Sequence, residues 1–192
     1  MIRMKHLVSA FALLTLCAGT LSADVLLSLH GPSSPVAVGS GFIIDVNISG
    51  VIDLASYQFD VGFNPAFASA TSVLEGAFLP SVGPTLFVPG TIDNLAGTIR
   101  FNAGVLAGLG SGASGSGVLA SLHFNALSGG TGTFTLLSTL LYDSVPNPID
   151  VTITNATVSA QTSTVPEPAA GWLLAGCIGA ITLIRRGAWI SR

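Results

Sequence analysis

The chain has 192 residues and a formal net charge of −3, but its charges are unevenly distributed. Between Asp24 and Thr164 there are eight acidic residues and a single base, Arg100, so this stretch has a net charge of −7. Nucleic-acid binding draws its affinity from Lys and Arg, so this composition excludes nucleic acid as a partner. The only cysteines, Cys17 and Cys177, lie outside the stretch, which excludes disulfides, thiolate metal sites and thiol proteases within it.

The amino-terminal segment has the layout of a secretory signal peptide. Two basic residues near the start are followed by an apolar core over residues 7–17, and small residues then precede a predicted cleavage between Ala23 and Asp24. An uncleaved anchor is the alternative, but the apolar core is short for spanning a bilayer. We therefore expect residues 1–23 to be removed and the rest of the chain to be exported.

The next part of the chain is predicted to be all β. No window has apolar residues at helical spacing over three turns, whereas short alternating runs recur along the stretch. The predicted strands are 25–30, 42–48, 57–63, 68–74, 98–103, 118–127, 133–141 and 149–159, with an edge piece at 85–88. The clearest alternation buries Tyr57, Phe59, Val61 and Phe63 on one face. Eight or nine short strands predict an antiparallel β-sandwich, with a closed barrel as the alternative.

No pattern within these strands indicates catalysis. Residues 110–115 match Gly-x-Gly-x-x-Gly, but a strand rather than a helix is predicted after them, which argues against nucleotide binding. His30 and His123 have no acid or second histidine at a local ligand spacing, so structural or exposed roles are favoured. Glu75 is the single glutamate between the two ends, and no carboxylate pair suited to a glycosidase is evident. We predict that the protein is not an enzyme.

A calcium site is one ligand-binding possibility that the sequence leaves open. Asp143 and Asp150 lie on either side of Asn147, and a loop of this composition can bring several oxygens around Ca²⁺. Ordinary turn roles are the alternative, and we favour them. We therefore predict no required cofactor.

Sugar binding is a second possibility, and it needs an exposed aromatic ring with hydrogen-bonding neighbours. The candidate exposed rings are Phe78, Phe87 and Tyr142. The other rings fall at positions that the alternation predicts to be buried: Tyr57, Phe59, Phe63, Phe101, Phe124 and Phe134. Both tryptophans lie near the carboxyl terminus, so the aromatic supply is poor. This weakens the glycan hypothesis and favours protein docking, for which a flat sheet face suffices.

The order of motifs along the domain is similar to that of a cohesin domain. A glycine-led strand at 41–46 is followed by an alternating strand at 55–65 that closes on an aromatic residue, Asn and Pro. Residues 97–101 and the Gly-Val-Leu-Ala strand at 117–124 follow in the same order. The resemblance covers about residues 25–160, and the predicted domain is residues 24–160. It implies a cohesin-like jelly-roll sandwich with a non-enzymatic binding role, and it leaves a carbohydrate-binding module of related fold as the alternative.

The carboxyl-terminal segment resembles a PEP-CTERM sorting signal. A linker at 161–164 leads into the motif, and an apolar run at 169–184 follows it. The motif and the basic pair after the run consist of Val165, Pro166, Glu167, Pro168, Arg185 and Arg186. A helix over the run would be a single transmembrane segment, roughly 24 Å long at about 1.5 Å per residue. The resemblance covers residues 165–192 and implies recognition and cleavage by a bacterial exosortase; an ordinary single-pass anchor is the alternative.

Together these features predict an exported bacterial protein that is held transiently in the inner membrane and then lies at the cell surface or in the extracellular matrix. Its predicted role is binding or assembly, with an exported protein or exopolysaccharide as partner. Recognition of exopolysaccharide by a carbohydrate-binding module is the alternative function, and a polysaccharide hydrolase is the least favoured. The usual partner of a cohesin is a dockerin, but the sequence identifies neither a partner nor any ligand-binding residue.

Overall fold

The computed structural model describes residues 24–108 and 110–162, which form β-strands joined by turns. The strands are β1 (Leu26–His30), β2 (Val36–Ala37), β3 (Gly41–Phe63), β4 (Ala68–Glu75), β5 (Thr85–Val88), β6 (Thr91–Asp93), β7 (Thr98–Leu106), β8 (Ala113–Ala126), β9 (Gly130–Asp143), β10 (Thr152–Thr154) and β11 (Ala156–Gln161). One 3₁₀ turn occupies Leu79–Ser81. The all-β prediction is confirmed. The described part has eleven strands instead of eight or nine. The short strands β2 and β6 were not predicted, the predicted strand 149–159 is divided into β10 and β11, and the predicted strands 42–48 and 57–63 are joined in β3.

Strand β3 organises the fold because it is 23 residues long and belongs to both layers. Its first half, residues 41–51, pairs with β1 and β8, while its second half, residues 54–63, pairs with β7 and β9. Gly50 and Asp53 have φ angles of 72° and 62° between the two halves. These left-handed conformations coincide with the irregular register that separates the two pairing regions, and Asp tolerates such a conformation better than most residues. The prediction of two separate strands at 42–48 and 57–63 was wrong in that both belong to this one continuous element.

The eleven strands form one hydrogen-bonded sheet that is folded into the two layers of a sandwich. The first layer contains β10, β1, the first half of β3, β8 and β4. The second layer contains β5 and β6, then β7, the second half of β3, β9, β11 and β2. The pairing is antiparallel except at two places, where β1 pairs with β10 and β2 pairs with β11 in parallel. The purely antiparallel prediction was therefore wrong at these two short edge strands.

A cluster of phenylalanines fills the space between the layers. Phe124 and Phe134 have ring centroids 4.9 Å apart in an edge-to-face arrangement, and Phe63 meets Phe124 in the same way at 5.1 Å. The alternation predicted for residues 57–63 is confirmed, since Tyr57, Phe59, Val61 and Phe63 are all buried. Removing one such ring costs about 3–5 kcal/mol of stability, so this cluster is a principal source of stability for the domain.

The predicted signal peptide and the sorting signal lie outside the described residues. This holds for residues 1–23, for the sorting motif and for the expected transmembrane helix at 169–184. Within residues 24–108 and 110–162, no helix has the length and the apolar character that crossing a bilayer requires.

Candidate functional site

The outer surface of the second layer exposes a group of apolar side chains. Six of them have between 38% and 63% of their surface exposed: Leu86, Val88, Phe101, Val105, Leu137 and Leu140. They come from β5, β7 and β9, which flank the second half of β3 on both sides. Single exposed apolar residues are common on soluble proteins, but a group on one face marks an interaction surface. We call this surface the apolar face.

The apolar face has two ridges with a polar floor between them. Leu86, Val88, Phe101 and Val105 form one ridge, and Leu137 and Leu140 form the other. Between the ridges, β3 places Ser56, Gln58 and Asp60 in alternate positions. Adjacent strands are about 4.8 Å apart, so the parts of the two ridges on β7 and β9 are separated by roughly 10 Å, while Leu86 and Val88 on β5 lie one strand farther out. A groove of about 290 Å³ lies along this floor and is lined by residues of both ridges.

A β-bulge in β7 turns Phe101 outward. Phe59 of β3 pairs with Asn102 and Val61 pairs with Ile99, so two residues of β7 lie opposite Asp60 alone. Phe101 has a φ of 59°, and its backbone N–H donates to Asp60 Oδ1 at 2.7 Å. The bulge reverses the alternation for the rest of the strand. The prediction that Phe101 is buried was therefore wrong, because regular alternation cannot anticipate the extra residue.

The same bulge places a polar residue in the core. Asn102 is fully buried, and its Nδ2 donates to Pro89 O at 3.2 Å, but its Oδ1 has no hydrogen-bond partner in the described part of the chain. Next along this inner face, Gly104 leaves room for Tyr57: a Cβ added at Gly104 would lie 2.6 Å from atoms of the Tyr57 ring. Without the bulge, Ala103 would lie opposite Tyr57 in place of Gly104, and its Cβ would collide with the ring. The bulged register is therefore held by packing, despite the unsatisfied oxygen.

A second bulge lies on the other side of β3 at the same level. Gln58 pairs with Leu140 and Asp60 pairs with Leu137, so Ser138 and its neighbour lie opposite one residue of β3. Ser138 has a φ of 47°. Beyond this point Leu140 faces solvent and Leu141 is buried. Both ridges of the apolar face therefore depend on bulges with a non-glycine residue in the left-handed region, and strain of this kind often accompanies a functional surface.

Tyr57 anchors the inner side of this layer. Its hydroxyl donates to Leu119 O at 2.8 Å, and its ring stacks on Phe59 with centroids 5.7 Å apart. Burial raises the pKa of the Tyr57 hydroxyl well above its ordinary value, and the Glu75 carboxylate raises it further. Glu75 Oε1 is itself buried without a hydrogen-bond partner among the described residues. Tyr57 is therefore a neutral structural donor, and Glu75 lies behind the apolar face instead of on it.

The three rings predicted to be exposed have different environments. Phe78 is buried, and a Cβ built on Gly117 would lie 2.7 Å from its ring, so Phe78 packs closely over that glycine. This prediction was wrong, because the segment after β4 folds back onto β8 through Phe78 N–H donating to Val118 O at 3.1 Å. Phe87 is half-buried and packs against the core. Tyr142 is half-buried and lines the groove beside Leu140.

The loop considered for calcium is organised as a turn around Asp143. Its Oδ1 accepts from the backbone N–H of Val145 at 2.9 Å and of Asn147 at 2.8 Å, and its Oδ2 accepts from Asn147 Nδ2 at 2.9 Å. The bonds from Asn147 lower the pKa of Asp143 most strongly. Asp150 lies beyond this turn. Among the residues that the structure describes, no group of three or more His, Cys, Asp or Glu is placed to hold a metal ion.

Asp53 joins three segments at the end of the groove. Its Oδ1 accepts from Gly112 N–H, and its Oδ2 accepts from Ser144 Oγ at 2.6 Å and from Ser144 N at 3.3 Å. The Ser144 hydroxyl, followed by the Gly112 N–H, lowers the pKa of Asp53 below its ordinary value. The carboxylate thus ties the bend in β3 to the start of β8 and to the loop after β9. Sequence patterns gave no signal for this contact, because the partners are distant along the chain.

The two histidines lie on the first layer, away from the apolar face. His30 is exposed, pairs with Asp45 on β3, and has its Nε2 3.1 Å from Ser28 Oγ. His123 is half-buried and pairs with Ile43. The structure therefore does not bring either histidine together with the groove.

A family model and several solved structures match this chain. The model of the cohesin domain matches residues 27–160. A mutant type II cohesin-X-dockerin complex from Acetivibrio cellulolyticus has 13% sequence identity and a TM-score of 0.60, covering 72% of this chain and 100% of the matched one. The non-cellulosomal cohesin from the hyperthermophilic archaeon Archaeoglobus fulgidus has 17% identity and a TM-score of 0.58, and the match covers 74% of this chain and 94% of that one.

A third structure is the sixth cohesin of Acetivibrio cellulolyticus scaffoldin B in complex with a mutant Cel5 dockerin. It has 20% identity and a TM-score of 0.57, covering 72% of this chain and 99% of that one. At these identities the likeness concerns the fold. No curated protein matches the chain. Because the family model spans most of the sequence and nearly all of the described sandwich, the chain belongs to the cohesin domain family.

Proposed function

We propose that this protein is a non-enzymatic docking module that binds an exported protein partner through the apolar face. The observation that carries the proposal is the grouping of six exposed apolar side chains in two ridges, of which Phe101, Val105 and Leu140 are turned outward by two bulges. Burying them against a partner would stabilise a complex by the transfer of apolar surface out of water, which contributes about 25 cal/mol per Å² before the cost of association.

The proposed partner is a protein that carries a dockerin-like module. Both Acetivibrio cellulolyticus structures named above are complexes of a cohesin with a dockerin. The shape of the apolar face supports a helical contact, since ridges roughly 10 Å apart match the diameter of an α-helix with its side chains, about 10–12 Å. A helix lying along β3 would rest against both ridges at once.

The cellular setting of this module is also a proposal, supported by sequence motifs at both ends. We propose cleavage between Ala23 and Asp24, export, and transient anchoring through residues 169–184. An exosortase would recognise the Val165–Pro168 motif followed by the basic pair Arg185 and Arg186, and would release the module to the cell surface or matrix. Mass spectrometry of the mature protein tests this: termini at Asp24 and near Pro168 are expected, and an intact cytosolic chain contradicts it.

Binding of exopolysaccharide is the alternative function, and one observation favours it. Phe101 and Tyr142 both line the groove that also contains Gln58, so rings and an amide lie on one surface. Rings with adjacent hydrogen-bonding groups suit a sugar. Binding to a glycan array that is lost on Phe101→Ala, without binding to any dockerin module, would favour this alternative over protein docking.

Affinity measurements with paired surface variants test the docking proposal. The exported chain is immobilised and titrated with the dockerin modules of proteins exported by the same bacterium. Leu86→Ser combined with Leu140→Ser changes one residue on each ridge, and we expect at least a 100-fold loss of affinity, about 3 kcal/mol. Ile43→Ser combined with Leu74→Ser is the matched control, because these residues lie on the first layer and have a similar exposure, 45% and 53% against 63% and 49% for Leu86 and Leu140. Equal effects of the two double variants would contradict the proposal.

A further inference from the structure

Asp60 is the one acidic residue on the floor between the ridges of the apolar face. It pairs with Leu137 of β9 on one side, and it lies opposite the bulge that contains Phe101 on the other. The Leu137 and Phe101 side chains are 45% and 56% exposed, so a partner that covers them also covers Asp60. A carboxylate enclosed in this way loses water on binding and needs a compensating donor from the partner.

One oxygen of Asp60 is already used within the domain. Its Oδ1 accepts the Phe101 N–H at 2.7 Å and so holds the bulge. A carboxylate has two oxygens with about four acceptor positions, so Oδ2 retains the capacity to accept from a partner. Asp60 is thus fixed in place by the same hydrogen bond that turns Phe101 outward.

The charge of the surrounding domain determines which donor fits best. With eight acids against Arg100 alone, the stretch from Asp24 to Thr164 carries a net charge of −7. A partner with a positive group is attracted to such a surface, and one with a carboxylate at the same place is repelled. Arg100 belongs to the same bulge and is exposed, so it weakens this preference without reversing it.

From this arrangement we infer that Asp60 selects partners whose docking helix carries a lysine or arginine between two apolar stripes. The apolar stripes rest on the two ridges, and the cation reaches Asp60 on the floor between them. This inference rests on the proposed docking function and specifies the chemistry of the partner. Asp60 acts as a specificity-determining residue: it accepts from the partner's cation and disfavours an acid in the same position.

Three synthetic helical peptides of equal length provide the probes. Each carries leucines on both sides of one central position, which is Lys in the first, Gln in the second and Glu in the third. We expect the unaltered chain to bind the Lys peptide about tenfold more tightly than the Glu peptide, with the Gln peptide between them. The preference falls as salt is added, because the interaction is electrostatic.

Asp60→Asn is the decisive variant, because the amide oxygen still accepts the Phe101 N–H and preserves the bulge. We expect this variant to lose most of the preference for the Lys peptide over the Glu peptide, and to retain only the weak preference that the net charge of the rest of the domain produces. Arg100→Gln is the matched control, in which the preference for Lys is retained or increased. An undiminished preference in Asp60→Asn, equal binding of all three peptides to the unaltered chain, or no binding of any peptide would overturn the inference.

The outcomes also separate this inference from the docking proposal. If Leu86→Ser with Leu140→Ser abolishes dockerin binding while Asp60→Asn leaves the order of the peptides unchanged, docking stands and the role of Asp60 fails. If the ridge variants leave dockerin binding unchanged, the docking proposal itself fails, whatever the peptides do.

Discussion

Each layer of the sandwich contains a β-bulge, and the two bulges have opposite effects on which side chains are buried. In the first layer, β8 has an extra residue at Leu119, and both Leu119 and Ala120 are buried, so the bulge adds apolar volume to the core. In the second layer, the bulge in β7 exposes Phe101 and buries Asn102. One bulge improves the core, whereas the other gives up a buried apolar ring to build a surface. This difference supports the proposed role of the apolar face in docking.

The surroundings of the exposed apolar residues differ in the same way. On the first layer, Ile43 pairs with His123 and Leu74 pairs with Ser121, so each apolar side chain has a polar neighbour. On the second layer, Leu86 pairs with Val105. Isolated apolar residues need no explanation, but adjacent ones do. We therefore expect variants to separate the two layers, and the following predictions run from the largest effect to the smallest.

Gly104→Ala is expected to have the largest effect, because it removes the space that holds the bulged register of β7. The new Cβ would lie 2.6 Å from carbon atoms of the buried Tyr57 ring. Overpacking of this kind costs typically about 1–3 kcal/mol. Urea unfolding monitored by tyrosine fluorescence measures the loss.

Gly41→Ala is the matched control for this prediction. It lies in the first half of β3, where a Cβ would meet its nearest atoms at 3.5 and 3.7 Å, which is ordinary contact. We expect its stability to be unchanged or slightly raised, since Gly in a strand carries an entropic cost of roughly 0.5–1 kcal/mol relative to Ala. Equal stability of the two variants would show that Tyr57 does not hold the bulge in place.

Regular alternation was enough to predict much of this fold from the sequence. Tyr57, Phe59, Val61 and Phe63 were assigned to the core from period-2 spacing, and all four are buried. The signal is strong there because buried and outward residues alternate without a break from Tyr57 to Phe63. The order of cohesin-like motifs then predicted the family, which the family model confirms for residues 27–160.

The apolar face was missed because it arises from departures from alternation. Ile99, Phe101, Ala103 and Val105 alternate regularly in the sequence, and this pattern predicts that all four face inward. The bulge depends on Gly104 making room for Tyr57, a contact between residues far apart in the chain. Asn102 gave no warning, because a regular strand would place it on the outer surface, where Asn is ordinarily found. Only the structure shows that it is buried.

Asn94→Ala is expected to have an intermediate effect, at the free edge of the first layer. Asn94 Oδ1 accepts from Ala70 N–H at 2.8 Å, and its Nδ2 donates to Ala70 O at 3.0 Å, so one side chain covers a backbone pair of β4. Two lost hydrogen bonds cost about 1–3 kcal/mol if left unpaired, less where water replaces them. The backbone N–H and C=O of Ala70 at the edge of β4 also become available for pairing with a strand of a second copy of the protein.

Analytical ultracentrifugation together with urea unfolding measures both consequences. We expect Asn94→Ala to lose about 1 kcal/mol of stability and to show concentration-dependent association that the unaltered chain lacks. Asn125→Ala, at an exposed asparagine of β8, is the control, and a change within about 0.5 kcal/mol is expected there. An Asn94→Ala protein with unchanged stability and no association would show that the edge does not need this side chain.

Ser138→Gly is expected to have the smallest effect on the free energy of unfolding, and we expect this effect to be stabilising because Ser138 lies in the bulge of β9. Ser138 has a φ of 47°, a conformation that costs roughly 1–2 kcal/mol for residues with a Cβ, whereas Gly adopts it freely. The added flexibility of Gly in the unfolded chain offsets part of this gain, so we expect a net stabilisation below about 1 kcal/mol.

Ser56→Gly is the comparison for this variant, because Ser56 lies on the outer face of β3 and is regularly paired with Val105 of β7. There Gly relieves no strain and only adds freedom to the unfolded chain, so a loss of about 0.5–1 kcal/mol is expected. Opposite signs in urea unfolding would locate the strain at the bulge, and a loss in both variants would contradict it. Since Ser138→Gly preserves Leu137 and Leu140, dockerin affinity should remain unchanged, which separates strain that builds the apolar face from contacts that bind across it.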